Sequence, residues 1–341
     1  MLTTSLWNLG LALVVLTADP DVLKQGVSDP AKADADFAIQ GEYTGTIVWN
    51  GCYRPVGLQV VALGEGKFGG RVYPGGLPGN GFQGGSTSVL DGHRHGNGVV
   101  VHGDGLQFQL QSGLAVTATD SSGRHIGYLQ PMHRYSLMTG ARPPAGAVIL
   151  FDGRDTSKLK NAKVTNGLLQ IGAETVDSYR DFYLHAEFKT PYMPHAKGQA
   201  RGNSGFYLQK RYEVQVLDSF GLESQFNDAA ALYRFKAPDL NMSFPPLSWQ
   251  TYDIDFTAAR FDDAGKRTQK ARITVRHNGV VVQNNLELEN KTGGGSQEGP
   301  NALPILFQNH GNAVEFRNIW LLDRSQTPAP ASCCTPVIRC R

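Results

Sequence analysis

The stretch Arg201–Gly221, RGNSGFYLQKRYEVQVLDSFG, contains the pattern that decides the fold. Within it Val214 and Val216 alternate with Glu213 and Gln215. In an extended chain the two valines therefore face one side, and the carboxylate and the amide face the other. A period of two residues is typical of a β-strand with one face against a core. The stretch thus predicts a strand that presents polar groups on the face away from the core.

The same period extends outward along the chain. Residues 251–256, TYDIDF, and 272–276, RITVR, alternate in the same way. Two dipeptides, Asn166-Gly167 and Asn278-Gly279, separate runs of this kind. They predict hairpins with type I′ turns, which require positive φ at both central positions. Helical stretches of convincing length are absent from the sequence, so we predict an all-β protein with antiparallel pairing.

Composition limits the class of protein and its partners. The length of 341 residues suggests about two domains. Glycine makes up 40 residues and charged residues only 18% of the chain, which excludes a coiled coil or other long-helix protein. The net charge is +2, and no basic run follows the pattern of a phosphate backbone. We therefore expect no nucleic-acid partner.

A change in composition predicts how the chain is divided. Residues 139–147, TGARPPAGA, interrupt the strands. We expect a smaller Gly-rich β module at 37–140, which either binds glycan or packs against its neighbour; we favour packing. A second β domain is expected at 147–324, with a flexible loop at 291–300, KTGGGSQEGP. The tail at 325–341 is rich in Pro and Ala near its start and cannot bury a core.

The first residues contain one apolar run, Leu6–Leu16, followed by Asp19. This run is too short to span a bilayer, which takes about 20 residues, but it matches the apolar region of a secretory signal. No Lys or Arg precedes the run, and Leu16 is atypical three residues before a cut after Ala18. The alternatives are an incorrectly assigned start or a buried strand. We expect a signal peptide at 1–18, a periplasmic or secreted protein, and no other membrane segment.

The four cysteines fit an oxidising compartment. Cys333, Cys334 and Cys340 crowd the C-terminus, and Cys52 stands alone far upstream. We expect at least one disulfide to involve the C-terminal cluster, and three full pairings are possible. The spacing of the cluster matches no common zinc pattern.

Two motifs resemble known functional sites, but the surrounding sequence argues against a functional role for either motif. Residues 64–69, GEGKFG, match GxGxxG, but the glycines and prolines that follow cannot form the helix that a dinucleotide fingerprint needs. We predict a β-turn there. His93, His95 and His102 lie near Asp91 in a Gly-rich stretch, where we expect them to face solvent rather than bind a metal.

Several motifs of the second domain occur in the order found in one known family. They are VILFDG (148–153), HAEFKTP (185–191), the stretch at 201–221, WQTYDI (249–254), TVRHNGVVV (274–282), QNHGN (308–312) and FRNIW (316–320). On these motifs, residues 147–322 resemble the 3-keto-disaccharide hydrolase domain family. The resemblance implies a concanavalin A-like β-sandwich (jelly roll), with a carbohydrate partner bound across its concave face. It also implies a substrate already oxidised at C3.

The spacing of three polar residues bears on the reaction. Glu213, Gln215 and Asp218 stand at i, i+2 and i+5, and this resembles the E-x-D-x-x-E strand of laminarinase-type glucanases. The middle acid is Gln here, so the ordinary retaining pair is incomplete. A C3 ketone offers another route, because it acidifies the C2 hydrogen. A base removes this proton, the C1 leaving group is expelled, and water then adds. This route needs a base of suitable pKa, a Lewis acid or hydrogen-bond donor for the enolate oxygen, and an acid near the leaving oxygen.

The resemblance and this chemistry together give the candidate site residues. Glu213 and His310 are the candidate base and acid, in either order. The candidate substrate-binding residues are Arg201, Asn203, Tyr207, Gln215, Asp218, Trp249 and Gln308, with stacking on a sugar face expected from Tyr207 or Trp249. The residues assign no cofactor with certainty. A divalent metal, calcium or a transition metal, held by Glu213, Asp218 and His310 is one alternative. A non-catalytic lectin-like module and a conventional glycoside hydrolase are the alternative functions.

Overall fold

The chain folds almost entirely into β-strands, as the alternation predicts. The computed structural model describes residues 26–325. The predicted signal peptide, most of the predicted tail, and Cys333, Cys334 and Cys340 lie outside the described residues. Cys52 lies exposed at the start of a strand. No helix of residues 26–325 is long and apolar enough to cross a membrane.

The N-terminal module is a closed antiparallel barrel. Its strands are β1 (Gly41–Trp49), β2 (Cys52–Ala62), β3 (Lys67–Pro74), β6 (Ser88–His95), β7 (Gly98–Gly103), β8 (Leu106–Leu110), β9 (Val116–Asp120) and β10 (His125–Met132), and a short parallel pair, β4 (Leu77–Pro78) and β5 (Gly81–Phe82), lies outside it. The barrel order is β1-β10-β9-β8-β7-β6-β3-β2. Alternate apolar side chains, such as Val56, Leu58 and Val60, are buried in one core cluster. The period of two therefore supplies the core of the barrel.

Close approach of neighbouring strands explains why this module is rich in glycine. A Cβ at Gly92 would clash with the carbonyl oxygen of Val100, and one at Gly45 would clash with that of Tyr128. Only glycine fits where these strands pass so closely. Residues 64–66 form the turn between β2 and β3, so the predicted β-turn is confirmed.

The second domain is a sandwich of two sheets. Its strands are β11 (Val148–Phe151), β12 (Leu159–Lys160), β13 (Val164–Thr165), β14 (Leu168–Gln170), β15 (Glu174–Thr175), β16 (Phe182–Lys189), β17 (Ser204–Leu208), β18 (Tyr212–Val216), β19 (Gln250–Thr257), β20 (Arg260–Phe261), β21 (Arg267–Gln269), β22 (Ala271–His277), β23 (Val280–Leu288), β24 (Leu306–Phe307) and β25 (Glu315–Asp323). The large sheet has the order β13-β14-β25-β16-β19-β22-β23, and β11 also pairs with β25. The small sheet has the order β12-β15-β24-β17-β18, and β20 pairs with β21. One apolar cluster draws side chains from both sheets.

Both predicted Asn-Gly hairpins are confirmed. The φ angles are 52° at Asn166 and 74° at Gly167, between β13 and β14. They are 51° at Asn278 and 83° at Gly279, between β22 and β23. Positive φ at both positions is the geometry of a type I′ turn.

One tyrosine of the sandwich segment belongs to the core of the barrel. Tyr192 is buried in the barrel's apolar cluster, and its ring centroid lies 5.1 Å from that of Phe37. Its hydroxyl donates to Asp34 Oδ1 at 2.8 Å, and its backbone pairs in both directions with Val27. The module therefore packs against the sandwich, and the sandwich segment contributes Tyr192 to the barrel core.

The connection between the modules crosses the outer face of the large sheet. Gly140 N donates to the buried carboxylate of Glu187 at 2.6 Å. Beside it, His185 is fully buried, with Nδ1 2.8 Å from Asp253 Oδ1 and Nε2 3.8 Å from Glu187 Oε1. Burial lowers the pKa of His185, but its hydrogen bonds with the two carboxylates outweigh this effect and raise the pKa above its ordinary value. The connection is thus held by a buried charged cluster.

Candidate active site

The hairpin of β17 and β18 places the polar residues of the opening stretch on one face. Gly205 pairs with Gln215, and Tyr207 pairs with Glu213. Val214 and the other alternate residues belong to the apolar core between the sheets. The paired polar residues therefore share the outer face of the small sheet, as the period of two predicts.

Glu213 is a buried carboxyl group without a cationic partner. It is 2% exposed, and the Tyr207 hydroxyl donates to its Oε2 at 2.7 Å. No charged side chain among residues 26–325 shifts its titration; burial raises its pKa to about 7, against a smaller lowering by the Tyr207 hydrogen bond. Because this pKa is near neutrality, Glu213 can both accept and release a proton at physiological pH.

The Gln215 carboxamide can satisfy Glu213 in either protonation state. With its nitrogen turned toward Glu213, it donates to Oε1 at 2.9 Å and to the Ser204 carbonyl at 3.2 Å. In the opposite orientation its nitrogen donates to Gln199 Oε1 at 2.9 Å, and its oxygen faces Glu213. An amide has a donor at one end and an acceptor at the other. Gln215 can therefore form a hydrogen bond with Glu213 whether Glu213 is a carboxylate or a carboxylic acid.

Gly205 lets the Glu213 carboxyl group lie directly over the backbone of β17. A Cβ at this position would lie 2.7 Å from Glu213 Oε1 and 3.3 Å from Gln308 Oε1. Gln308 Oε1 is buried and has no hydrogen-bond partner in the described part of the chain. Nearby, Asn203 Nδ2 donates to the Gln199 backbone oxygen at 2.7 Å. The groups around Glu213 are thus uncharged amides, which can donate to or accept from sugar oxygens.

Arg201 and Asp218 form a buried ion pair at the end of the same hairpin. Arg201 Nε lies 2.6 Å from Asp218 Oδ2, and Nη1 donates to the Ala62 carbonyl of the barrel at 3.4 Å. The third acid of the E-x-Q-x-x-D pattern is therefore neutralised by a cation. Contact of either residue with a substrate stays a prediction.

His310 lies exposed on the turn that follows β24. This turn is tied to β17, because Gln308 N donates to the Gly205 carbonyl at 2.8 Å and Asn203 N donates to Asn312 Oδ1 at 2.7 Å. Residues 26–325 contain no group of three His, Cys, Asp or Glu side chains placed to hold a metal. Glu213, Asp218 and His310 thus do not form a ligand set. The same holds for His93, His95, His102 and Asp91, which lie exposed on β6 and β7 as expected.

The structure does not bring Trp249 to the site. The Arg317 guanidinium lies 3.9 Å from the centroid of its indole ring, and Lys189 Nζ lies 5.4 Å away. These two cations face outward from the large sheet, because their neighbours Phe316 and Phe188 point into the core. The predicted stacking of Trp249 on a sugar at Glu213 is therefore corrected: the indole lies on the opposite outer face of the sandwich.

The loop at 291–300, predicted to be flexible, is tied along the β17–β18 hairpin. Thr292 Oγ1 accepts from Glu213 N at 2.7 Å, and Thr292 N donates to the Arg211 carbonyl at 3.0 Å. Ser296 N donates to the Lys210 carbonyl at 2.7 Å. Thr292 and Gln199 were both missed from the sequence, since neither belongs to a local pattern and their contacts are made across the fold.

Comparison with known proteins gives similar solved structures and a matching family. A proposed glycosyl hydrolase from Parabacteroides distasonis ATCC 8503, solved at 2.13 Å, is 33% identical, covers 53% of this chain and 84% of its own, and superposes with a TM-score of 0.50. Another proposed glycosyl hydrolase from the same organism, solved at 1.70 Å, is 19% identical, covers 52% of this chain and 94% of its own, and has a TM-score of 0.37. No curated protein matches the chain. Residues 146–322, just over half of the chain, match the model of the 3-keto-alpha-glucoside-1,2-lyase-like domain, and the chain belongs to that family.

Proposed function

We propose that the protein is a hydrolase or lyase that cleaves 3-keto-glycosides, such as 3-keto-disaccharides, by elimination and hydration. Family membership and the 33% identical relative support the coarser part of this proposal, action on a glycoside. The observation that supports the finer part is Glu213, a buried carboxyl group with a pKa of about 7, around which residues 26–325 place only neutral groups.

Conventional glycoside hydrolysis needs two carboxyl groups on either side of the scissile bond. Here Gln215 stands at the middle position of the pattern, and Asp218 is held in an ion pair by Arg201. One proton-exchanging group without a second free carboxylate suits elimination better, because that reaction needs a single base of near-neutral pKa at C2.

In the proposed reaction, the Glu213 carboxylate takes the proton from C2 of the 3-keto sugar. The electron pair of the C–H bond passes into an enolate whose oxygen is the former C3 ketone. Amide N–H groups of Gln215, Gln308 or Asn203 donate to that oxygen. The enolate then expels the C1 leaving group with the electron pair of the C1–O bond, and the leaving oxygen takes a proton from His310. Water adds across the C1–C2 double bond and completes net hydrolysis.

Tyr207 is assigned a supporting role in this reaction. Its hydroxyl donates to Glu213 Oε2 at 2.7 Å, so this oxygen is already engaged, whereas Oε1 lies over Gly205. The oxygen that takes the C2 proton is therefore Oε1.

The test is incubation of the purified protein with 3-keto-trehalose in D2O, with detection of released sugar and of deuterium at C2. Glu213→Gln and His310→Ala should each lower turnover by about 10² or more, the scale of a general acid or base. Glu223→Gln, at an exposed carboxylate, is the matched control and should turn over normally. Equal turnover of unoxidised trehalose would favour a conventional glycoside hydrolase. Sugar binding without turnover of either compound would favour the lectin-like module.

A further inference from the structure

Residues 230–233 extend the small sheet beyond β18. Tyr233 N donates to the Glu213 carbonyl at 3.2 Å, and Val214 forms a bridge with Leu232. Val214 and Leu232 both point into the core between the sheets. Because side chains alternate along extended segments, Tyr233 lies on the same outer face as Glu213, one strand position away.

The ring of Tyr233 rests on the loop that borders Glu213. A Cβ at Gly293 would lie 3.0 Å from the Tyr233 ring, and a Cβ at Gly294 would lie 3.1 Å from the Tyr207 hydroxyl. Two consecutive glycines therefore allow the loop backbone to lie directly against both tyrosines. The phenol that holds Glu213 and the ring of Tyr233 are neighbours on this surface.

Exposure increases stepwise from Glu213 to the rim. Glu213 and Tyr207 are buried, Tyr233 is half-buried, and Arg234 is exposed with its guanidinium 5.7 Å from the centroid of the Tyr233 ring. Arg234 has a φ of 61°, a left-handed conformation that L-residues seldom adopt, and its N–H donates to the Phe226 carbonyl at 2.8 Å. Phe226 is itself 51% exposed. The rim thus presents an aromatic ring with an exposed multi-donor cation over it, and this side chain is free to turn toward a ligand.

We infer that Tyr233 and Arg234 form a second sugar-binding subsite, which holds the sugar unit attached across the scissile bond. The apolar face of a pyranose ring packs on the Tyr233 ring, and Arg234 donates to its hydroxyl groups. Adjacent strands lie about 4.8 Å apart, so Tyr233 is displaced from Glu213 by roughly one sugar ring. The buried end takes the reacting ring and the half-exposed end takes the next. The inference rests on the proposed function for the identity of the reacting sugar.

The experiment measures binding in a Glu213→Gln background, where the substrate is held without turnover. Calorimetric titrations use 3-keto-trehalose, with two sugar units, and methyl 3-keto-glucoside, with one. Adding Tyr233→Ala should weaken binding of the disaccharide about tenfold, the loss expected for one aromatic stacking contact, and leave the methyl glycoside within about twofold. Tyr233→Phe should retain binding, because the ring makes the contact. Tyr128→Ala, an exposed tyrosine on the barrel, is the matched control.

Equal losses for both sugars, or no loss for either, would overturn the subsite. No binding of the disaccharide to the Glu213→Gln protein would overturn it as well. Failure of the proposed function is a separate result: the wild-type protein would not release sugar from 3-keto-trehalose, whereas the preference for two sugar units over one would still depend on Tyr233.

Discussion

Replacement of Glu213 by Gln should stabilise the protein at alkaline pH while it removes activity. Folding raises the pKa of this carboxyl group from its ordinary value of 4.5 to about 7, because burial disfavours the charged form. A group with a raised pKa contributes its full stability below pH 4.5, and this contribution is lost as pH rises through 7. At 1.36 kcal/mol per pH unit, the loss in the wild-type protein is up to about 3 kcal/mol above pH 7. Gln does not titrate, so the variant avoids this loss.

The assay is urea unfolding followed by intrinsic fluorescence, at pH 5 and at pH 8.5. The Glu213→Gln protein should lie within about 1 kcal/mol of the wild type at pH 5 and exceed its free energy of unfolding by up to about 3 kcal/mol at pH 8.5. Asp218→Asn is the contrasting variant: it leaves the buried Arg201 without its anion and should cost about 3 kcal/mol or more at both pH values. The opposite result is a difference in free energy of unfolding between the Glu213→Gln protein and the wild type that stays the same at both pH values. Glu213 would then not be a buried carboxyl group lacking a cation, and the reasoning for its catalytic role would fail.

Three further predictions concern the pH dependence and geometry of the site and the buried cluster of the large sheet. Tyr207→Phe removes the hydroxyl donor that lowers the pKa of Glu213. The midpoint of kcat/KM against pH should therefore move upward from about 7 by about one pH unit. An unchanged midpoint would contradict the hydrogen bond between Tyr207 and Glu213. Gly205→Ala places a methyl group 2.7 Å from Glu213 Oε1 and should displace the carboxyl group. Turnover should fall about 10²-fold while the circular dichroism spectrum stays unchanged. Normal turnover would show that the position of Glu213 over Gly205 does not matter for the reaction. His185→Gln should lower the melting temperature more at pH 6 than at pH 9. The raised pKa of His185 gives stability that is present below pH 6.5 and is lost as the pH rises through the pKa of the folded protein. A loss that does not depend on pH would show that the protonated ring does not stabilise the buried cluster.

The strands could be predicted from local sequence patterns. The features that could not be predicted depend on contacts between residues distant in sequence. The two Asn-Gly turns were predictable because each hairpin is decided by adjacent residues. Closure of the barrel was not, because it depends on the pairing of β1 with β10, and the alternation of each strand is the same in an open sheet. The outer face of β18 was predictable from the alternation around Val214.

The candidate site shows the same division. Glu213 could be found because it lies within a distinctive motif, but Thr292 and Tyr233 reach it from other segments and carry no local signal. Trp249 was misplaced for a related reason. The sequence around a tryptophan that precedes a strand is the same whether the strand belongs to the large sheet or to the small sheet. Only the order of the strands in the two sheets shows on which outer face the indole lies.

The position of Tyr192 in the barrel core bears on how the two modules can evolve. The Pro-rich connection suggests two parts that a genome could separate or recombine, yet the ring of Tyr192 fills the barrel while its chain continues into the sandwich. A descendant that lost the barrel would expose this ring and leave its hydroxyl without Asp34. The two modules are therefore not independent at this side chain, because Tyr192 has its packing and its hydrogen bond only when the barrel is present.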